Sequence, residues 1–167
     1  MIVTFTRTGE RRYRVSVEGP GVVASWMEPA PGYDPLLPHD MAHFVVENEL
    51  GILGGVFGQL AAGGTAGTFH PYDESKRRKI LKRGKKISSM EIRDAVLSEK
   101  MIAITHGRWR GDPLAPKPDK DLSEGDVVGI CAKFDVVSKV WSQLKVGESM
   151  SLTWSASGDK KKADLVS

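Results

Sequence analysis

The sequence has only one cysteine, Cys131, and no long apolar run. A single cysteine excludes a disulfide within the chain and a zinc site built from several cysteines. Because Cys131 lies in an apolar helical pattern, we expect it to be a buried small hydrophobic residue. No segment has the roughly 18 consecutive apolar residues of a membrane span, and the first residues lack the apolar run of a signal peptide. These absences predict a cytoplasmic protein without membrane insertion.

Motifs for nucleotide binding and for nucleophilic catalysis are also missing. Neither G-x-x-x-x-G-K-[ST] nor G-x-G-x-x-G occurs, and the glycine-rich segment 63–67 lacks the lysine of a phosphate loop. The G-x-S-x-G turn that presents a nucleophilic serine is absent as well. The sequence therefore gives no support to ATP or dinucleotide use, or to a serine or cysteine nucleophile.

Positive charge is concentrated in one place. The 167 residues include 24 lysines and arginines and 21 acidic residues, for a formal net charge of +3. Eight of the basic residues form what we call the basic segment: Lys76, Arg77, Arg78, Lys79, Lys82, Arg83, Lys85 and Lys86. The other 16 basic residues against 21 acidic ones leave the rest of the chain at −5. Such a segment is either a solvated face or a site where nucleic-acid phosphates bind, without base stacking because no aromatic residue interleaves it.

Alternating patterns at both ends of the chain predict strands. Residues 2–5 and 13–17 alternate apolar and polar side chains on either side of a turn, which predicts a hairpin, and residues 149–155 alternate in the same way. A third strand is expected over residues 22–26. Together with the helices below, these strands predict an α+β fold, in which a small antiparallel sheet from the N-terminal hairpin and the C-terminal strand packs against a layer of about four helices.

Four segments between the strands have helical patterns. One begins at Pro38 and ends at Gly51, and a glycine-rich one follows at 52–62. The third begins with a capping box at Ser88 and Glu91, and its predicted core-facing residues are Ile92, Ala95, Val96 and Ile102. The fourth begins at Ser123, has apolar residues at spacings of three and four, and is expected to end at Gly147. We expect one domain at 1–157, with a basic arm at about 73–87 and a flexible tail at 158–167.

The helix after Pro38 carries the candidate site. His39 and His43 are four residues apart, hence about 6 Å along the axis and on one face, the spacing with which zinc proteins present two imidazoles to one ion. The run His39-Asp40-Met41-Ala42-His43 resembles the zincin motif H-E-x-x-H, with Asp40 where that family has its general-base glutamate. This resemblance implies a divalent metal such as zinc and a hydrolytic reaction.

Glu47 is too far along the helix to complete the metal site. The rise from His39 to Glu47 is about 12 Å, whereas each ligand lies roughly 2 Å from the ion. The third ligand must therefore come from another part of the chain, and the candidates are His70, Asp34 and His106. We predict His39, His43 and His70 as metal ligands, and Asp40, His43 and Glu47 as catalytic residues.

Other interpretations of the same residues remain open. Asp40 in the first helical turn is favoured by the helix dipole, and His43 with Glu47 matches a common surface pair without function. In a metal-free site, Asp40 or Glu47 would orient His43 as a proton carrier. The longer stretch Leu37–Gly64 resembles a group of small uncharacterised bacterial proteins, which implies no activity. The second function class is a non-enzymatic nucleic-acid-binding or protein-binding module that acts through the basic segment.

Overall fold

The computed structural model describes residues 1–76, 78 and 89–156. Within these ranges the sheet has five strands in the order β4-β3-β2-β1-β5, and every neighbouring pair is antiparallel. The strands are β1 (Ile2–Gly9), β2 (Arg12–Glu18), β3 (Ser25–Met27), β4 (His70–Pro71) and β5 (Ser149–Thr153). The helices in the described residues are α1 (His39–Leu50), α2 (Val56–Ala61), α3 (Ser89–Arg110) and α4 (Glu124–Trp141), with a 3-10 turn at Glu74–Lys76. The predicted α+β fold is confirmed.

The hairpin residues alternate between the core and the outside of the sheet. Val3, Phe5, Tyr13, Val15 and Val17 are all buried, because every second side chain of a strand points to the same face. This face meets the helices, as the ring contacts of Phe5 with α1 and of Tyr13 with α4 show. The opposite face has exposed hydroxyl pairs between β1 and β5. The helical layer therefore covers one side of the sheet.

The structure confirms most of what the sequence predicts for the fourth helix. The Ser123 side chain accepts from the backbone N–H of Asp126, whose own side chain accepts from the backbone N–H of Ser123. The apolar residues of α4 at the predicted spacings of three and four are buried: Val127, Ile130, Phe134, Val137 and Trp141. The predicted end at Gly147 is wrong, because α4 ends at Trp141 and Gly147 lies at φ 92 in the turn before β5. Cys131 is half-buried, and burial raises the pKa of its thiol.

The predicted core-facing side of α3 is wrong in its first half. Ile92 and Val96 are 61% and 66% exposed, and Ala95 is exposed as well. The buried residues of α3 are Ser98, Met101, Ile102, Ile104 and Thr105. The helix contacts α1 through Ser98 and Glu99 instead, with the Ser98 hydroxyl 3.1 Å from Nδ1 of His43. The proposed cap at Ser88 lies outside the described residues.

The glycine-rich segment is only partly helical. Gly51 ends α1 in a left-handed conformation, at φ 66, as predicted. Residues 52–55 then form a turn, so α2 begins at Val56 instead of Ile52. A Cβ atom added at Gly58 would collide with the backbone of Leu53. Gly58 therefore permits close approach of the α2 backbone to the turn before it.

Candidate metal centre

The loop before α1 fixes the position of His39. Pro38 is the N-cap residue, and its carbonyl oxygen accepts from the backbone N–H groups of Met41 and Ala42. Gly32 accepts from the backbone N–H of His39 at 3.0 Å and has a left-handed φ of 66°. A Cβ atom at Gly32 would lie 2.6 Å from the Cβ of His39, so the loop can pack under this histidine only through glycine.

Three potential metal ligands meet between α1 and α3. The Nε2 atoms of His39 and His43 are 3.0 Å apart, and Nε2 of His43 lies 3.3 Å from Oε1 of Glu99. One ligand atom from each residue lies within 4.8 Å of the others. Two nitrogen ligands of a tetrahedral zinc ion are about 3.3 Å apart, so the imidazoles would have to separate by only a few tenths of an ångström. His43 is buried, whereas His39 and Glu99 are exposed, which leaves the group open to solvent.

A serine and a buried carboxylate lie behind His43. The Ser98 hydroxyl donates to Oε1 of Glu47 at 2.9 Å, and the same hydroxyl oxygen is 3.1 Å from Nδ1 of His43. Because the only hydroxyl proton of Ser98 is directed to Glu47, this oxygen accepts from the Nδ1–H of His43. This hydrogen bond fixes the imidazole ring of His43 so that its Nε2 atom faces His39 and Glu99. A carboxylate that orients a histidine in this way is typical of metal sites.

Glu47 is held in place by the first turn of α2. Its carboxylate accepts from the backbone N–H of Val56 at 3.0 Å and from that of Phe57 at 2.8 Å, in addition to the bond from Ser98. Its side chain is completely buried. Two N–H groups at a helix N-terminus and one hydroxyl stabilise the negative charge without solvent. His43 and Glu47 are therefore a buried pair, and the surface-pair interpretation is wrong.

The electrostatic environment shifts the pKa values of the two histidines in opposite directions. Burial lowers the pKa of His43, but Glu47, Glu99 and Asp40 outweigh this effect and raise it above the usual histidine value. Burial and the nearby charge of His43 lower the pKa of His39. In the protein without metal, a protonated His43 can donate through Nε2 to a neutral His39. A divalent ion would displace that proton, so metal binding should release protons.

Asp40 bonds to the sheet and not to the histidines. Its Oδ2 atom is 2.5 Å from the hydroxyl oxygen of Tyr13, which is also 2.5 Å from the carbonyl oxygen of Pro31. A phenol has one proton, so it can donate to only one of these acceptors. Both contacts are satisfied when Tyr13 donates to Pro31 and a protonated Asp40 donates to Tyr13. Burial raises the pKa of Asp40, as this arrangement requires. Asp40 therefore faces Tyr13, and it does not lie where the general base implied by the zincin resemblance would act.

The substitution Asp40→Asn tests this arrangement. Because folding raises the pKa of Asp40 above 3.8, the protonated side chain stabilises the folded protein. This stabilisation is complete at pH values below the pKa of the unfolded state, and it is lost as the pH rises through the pKa of the folded state. An asparagine donates to Tyr13 at every pH. We therefore expect the free energy of unfolding of the wild type, relative to Asp40→Asn, to fall as the pH rises above the pKa of the unfolded state. Urea denaturation at a series of pH values above about 4 measures the difference, and a difference that stays level or rises with pH would show that Asp40 is already ionised in the folded protein.

The other predicted third ligands lie elsewhere. His70 is in β4, where its exposed ring contacts Trp26 with centroids 5.5 Å apart, and it is not part of the His39 group. Asp34 accepts from two backbone N–H groups of its own loop and forms an ion pair with Arg110. The ring of His106 packs against neighbouring aromatic rings. In the group of three potential ligands, the third member is Glu99 and not His70.

Sequence reasoning missed Glu99 and Ser98. Ser98 is 55 residues from His43, and no motif connects the two positions. A signal exists in the pattern of α3: Ser98, Met101, Ile102 and Thr105 recur at helical spacing, so Ser98 lies on the buried face once that face is identified. Glu99 is the next residue and gave no signal of its own.

Gly55 supplies a test of the buried carboxylate. A Cβ atom at Gly55 would overlap the carboxyl group of Glu47, which leaves no space for alanine. We expect Gly55→Ala to lower the free energy of unfolding by about 1–3 kcal/mol through overpacking. Gly129 on α4 is the matched control, because nothing lies within 4 Å of its added Cβ. Gly129→Ala should raise stability by up to about 1 kcal/mol in urea denaturation, and equal effects of the two substitutions would contradict the contact.

Most of the basic segment lies outside the described residues. Lys76 ends the 3-10 turn and Arg78 is exposed. The other predicted nucleic-acid-binding residues and the predicted tail at 158–167 are not described, so their roles stay predictions.

No protein-family model, curated protein or solved structure matches this chain. The resemblance to small bacterial proteins over Leu37–Gly64 therefore stays a prediction, and the site is judged by its geometry. Among the helices that the structure describes, none has the length and apolar character needed to cross a membrane.

Proposed function

We propose that this protein is a metal-dependent hydrolase whose divalent ion, zinc or one similar to it, is held by His39, His43 and Glu99. The observation that carries the proposal is the convergence of three ligand atoms, with Nε2 of His43 3.0 Å from His39 and 3.3 Å from Glu99. Two imidazoles and one carboxylate are the protein ligands of several catalytic zinc sites. Such sites keep the fourth position for water or substrate.

The exposure of the group favours a catalytic over a structural ion. Structural zinc sites are closed by four protein ligands, whereas the described residues supply three. His39 and Glu99 are exposed, so a fourth position would face solvent. A reaction with an external substrate requires this access.

The residues behind the group would hold the buried ligand in one orientation. Ser98 and Glu47 direct the proton of His43 to Nδ1, which presents the Nε2 lone pair to an ion. Glu47 accepts three hydrogen bonds, so it acts on the charge and orientation of His43 and does not reach a substrate. When bound, a zinc ion lowers the pKa of its water to about 7 and polarises a carbonyl or phosphoryl oxygen.

Metal analysis combined with hydrolysis assays tests the proposal. Untagged protein should contain about one equivalent of divalent metal per chain. The metal-loaded protein should hydrolyse at least one of three probes, namely a nitrophenyl ester, a nitrophenyl phosphodiester and casein, and chelation should abolish this activity. Binding without hydrolysis of any probe would reject the hydrolase and keep the metal site. Less than about a tenth of an equivalent, with no uptake of added zinc, would reject both.

A further inference from the structure

The outward face of the sheet carries an aromatic cluster that the metal centre does not use. Trp26 lies between two buried neighbours in β3, so its side chain points away from the core. His70 is its register partner in β4, and their ring centroids are 5.5 Å apart. The ring of Tyr72 lies 6.5 Å from that of Trp26 and is 59% exposed. We call Trp26, His70 and Tyr72 the aromatic cluster.

Two arginines of β2 adjoin the aromatic cluster. The guanidinium carbon of Arg14 lies 5.6 Å from the ring centroid of Trp26, within the range of a cation–π contact. Arg14 and Arg12 both form ion pairs with Glu28, at 2.5 Å and 3.3 Å. Two guanidinium groups against one carboxylate leave this part of the face positively charged. The side chains of both arginines are about half exposed, at 42% and 54%.

We propose that this face binds single-stranded nucleic acid, with bases stacked on the aromatic cluster and phosphates beside Arg12 and Arg14. Exposed aromatic rings on a sheet bind unpaired bases by stacking, and adjacent cations attract the backbone phosphates. Stacking requires bases that are not paired in a duplex, so the partner is single-stranded RNA or DNA. Hydroxyl pairs at Thr4–Ser151 and Thr6–Ser149 continue the polar character of the face.

The position of the basic segment supports this partner. Lys76 follows Tyr72 by four residues, which span at most about 14 Å even when fully extended. Asp73, Glu74 and Ser75 come between them, and the eight basic residues begin at Lys76. A strand stacked on the aromatic cluster would thus have its phosphates near the start of that run. The sheet supplies the stacking that the basic segment lacks.

Fluorescence anisotropy with labelled 12-nucleotide oligouridylate and oligothymidylate tests the proposal at low salt. We expect the protein to bind either single strand more tightly than a duplex of the same length. The double substitution of His70 and Tyr72 by alanine should weaken single-strand binding about ten-fold or more, since stacking contributes to binding at each base. Both side chains are exposed, so the variant should retain the circular dichroism spectrum and melting temperature of the wild type.

Two controls separate stacking from charge. Leu114→Ala changes an 88% exposed residue in another part of the surface and should leave binding unchanged. Heparin, which has negative charge and no bases, should bind equally to the wild type and to the double variant. Equal oligonucleotide affinity of these two proteins would overturn the proposal, and so would the absence of oligonucleotide binding at low salt or tighter binding of the duplex.

Discussion

Replacing His43 with alanine will lower the zinc affinity of this protein about a hundred-fold or more. The substitution removes the proposed ligand that lies close to both other members of the group, His39 at 3.0 Å and Glu99 at 3.3 Å. Even the loss of a residue that only orients a ligand costs about ten- to a hundred-fold in affinity, and loss of the ligand itself costs more. Competition with a chromophoric chelator measures the dissociation constants.

Substitutions at the exposed members of the group test zinc binding without an expected loss of folding. His43 is buried, so its replacement also affects packing, whereas His39 and Glu99 are exposed and their alanine variants should fold normally. Each of these two variants should also lose at least about ten-fold in zinc affinity. His70→Ala is the matched histidine control, because His70 lies outside the group, and it should bind zinc as the wild type does. Equal affinities of the wild type, His39→Ala and Glu99→Ala would contradict the metal site.

Replacing Glu47 with alanine will lower the free energy of unfolding by about 3–5 kcal/mol, the usual cost of removing one partner from a buried charged network. Glu47 is completely buried, and its removal leaves the N–H groups of Val56 and Phe57 and the hydroxyl of Ser98 without their acceptor. Each unsatisfied buried group costs about 1–3 kcal/mol. Since small proteins are stable by about 5–15 kcal/mol, this single change should remove a large part of the stability.

A neighbouring glutamate on the same helix is the control for Glu47. Glu49 pairs with Lys133 near the surface, so Glu49→Ala should cost at most about 1 kcal/mol. Glu47→Gln keeps the shape but directs an amide nitrogen at a donor, so we expect a loss of about 1–3 kcal/mol and about ten-fold weaker zinc binding. Urea denaturation measures the stabilities, and similar losses for Glu47→Ala and Glu49→Ala would show that the buried network contributes little.

Where the sequence predicted the fold correctly, the signal was local. The alternation in β1 and β2 has a period of two residues, which a strand with one buried face requires. The helix α1 begins after Pro38 and ends before Gly51, because proline suits a helix start and glycine accepts the left-handed conformation at a helix end. Each of these features depends on a few adjacent residues, so the sequence is sufficient to identify it.

Where the sequence failed, the answer depended on contacts between distant segments. The predicted side of α3 placed Ile92 and Val96 in the core, yet both are exposed, and the helix contacts α1 through Ser98 and Glu99. A helix of mixed composition has more than one plausible apolar side, and only its neighbours select the one that is buried. Ser98 and Glu99 of this helix lie beside His43.

The sequence by itself determined that His39 and His43 share one face of a helix, because the rise and turn of an α-helix place residues four apart side by side. Only the tertiary structure decided which residues join them. It paired Asp40 with Tyr13, buried Glu47 at the start of α2 and brought Glu99 to the histidines from α3. The physical reason is that ligand convergence and burial arise from the packing of separate elements, which spacing along one helix does not encode.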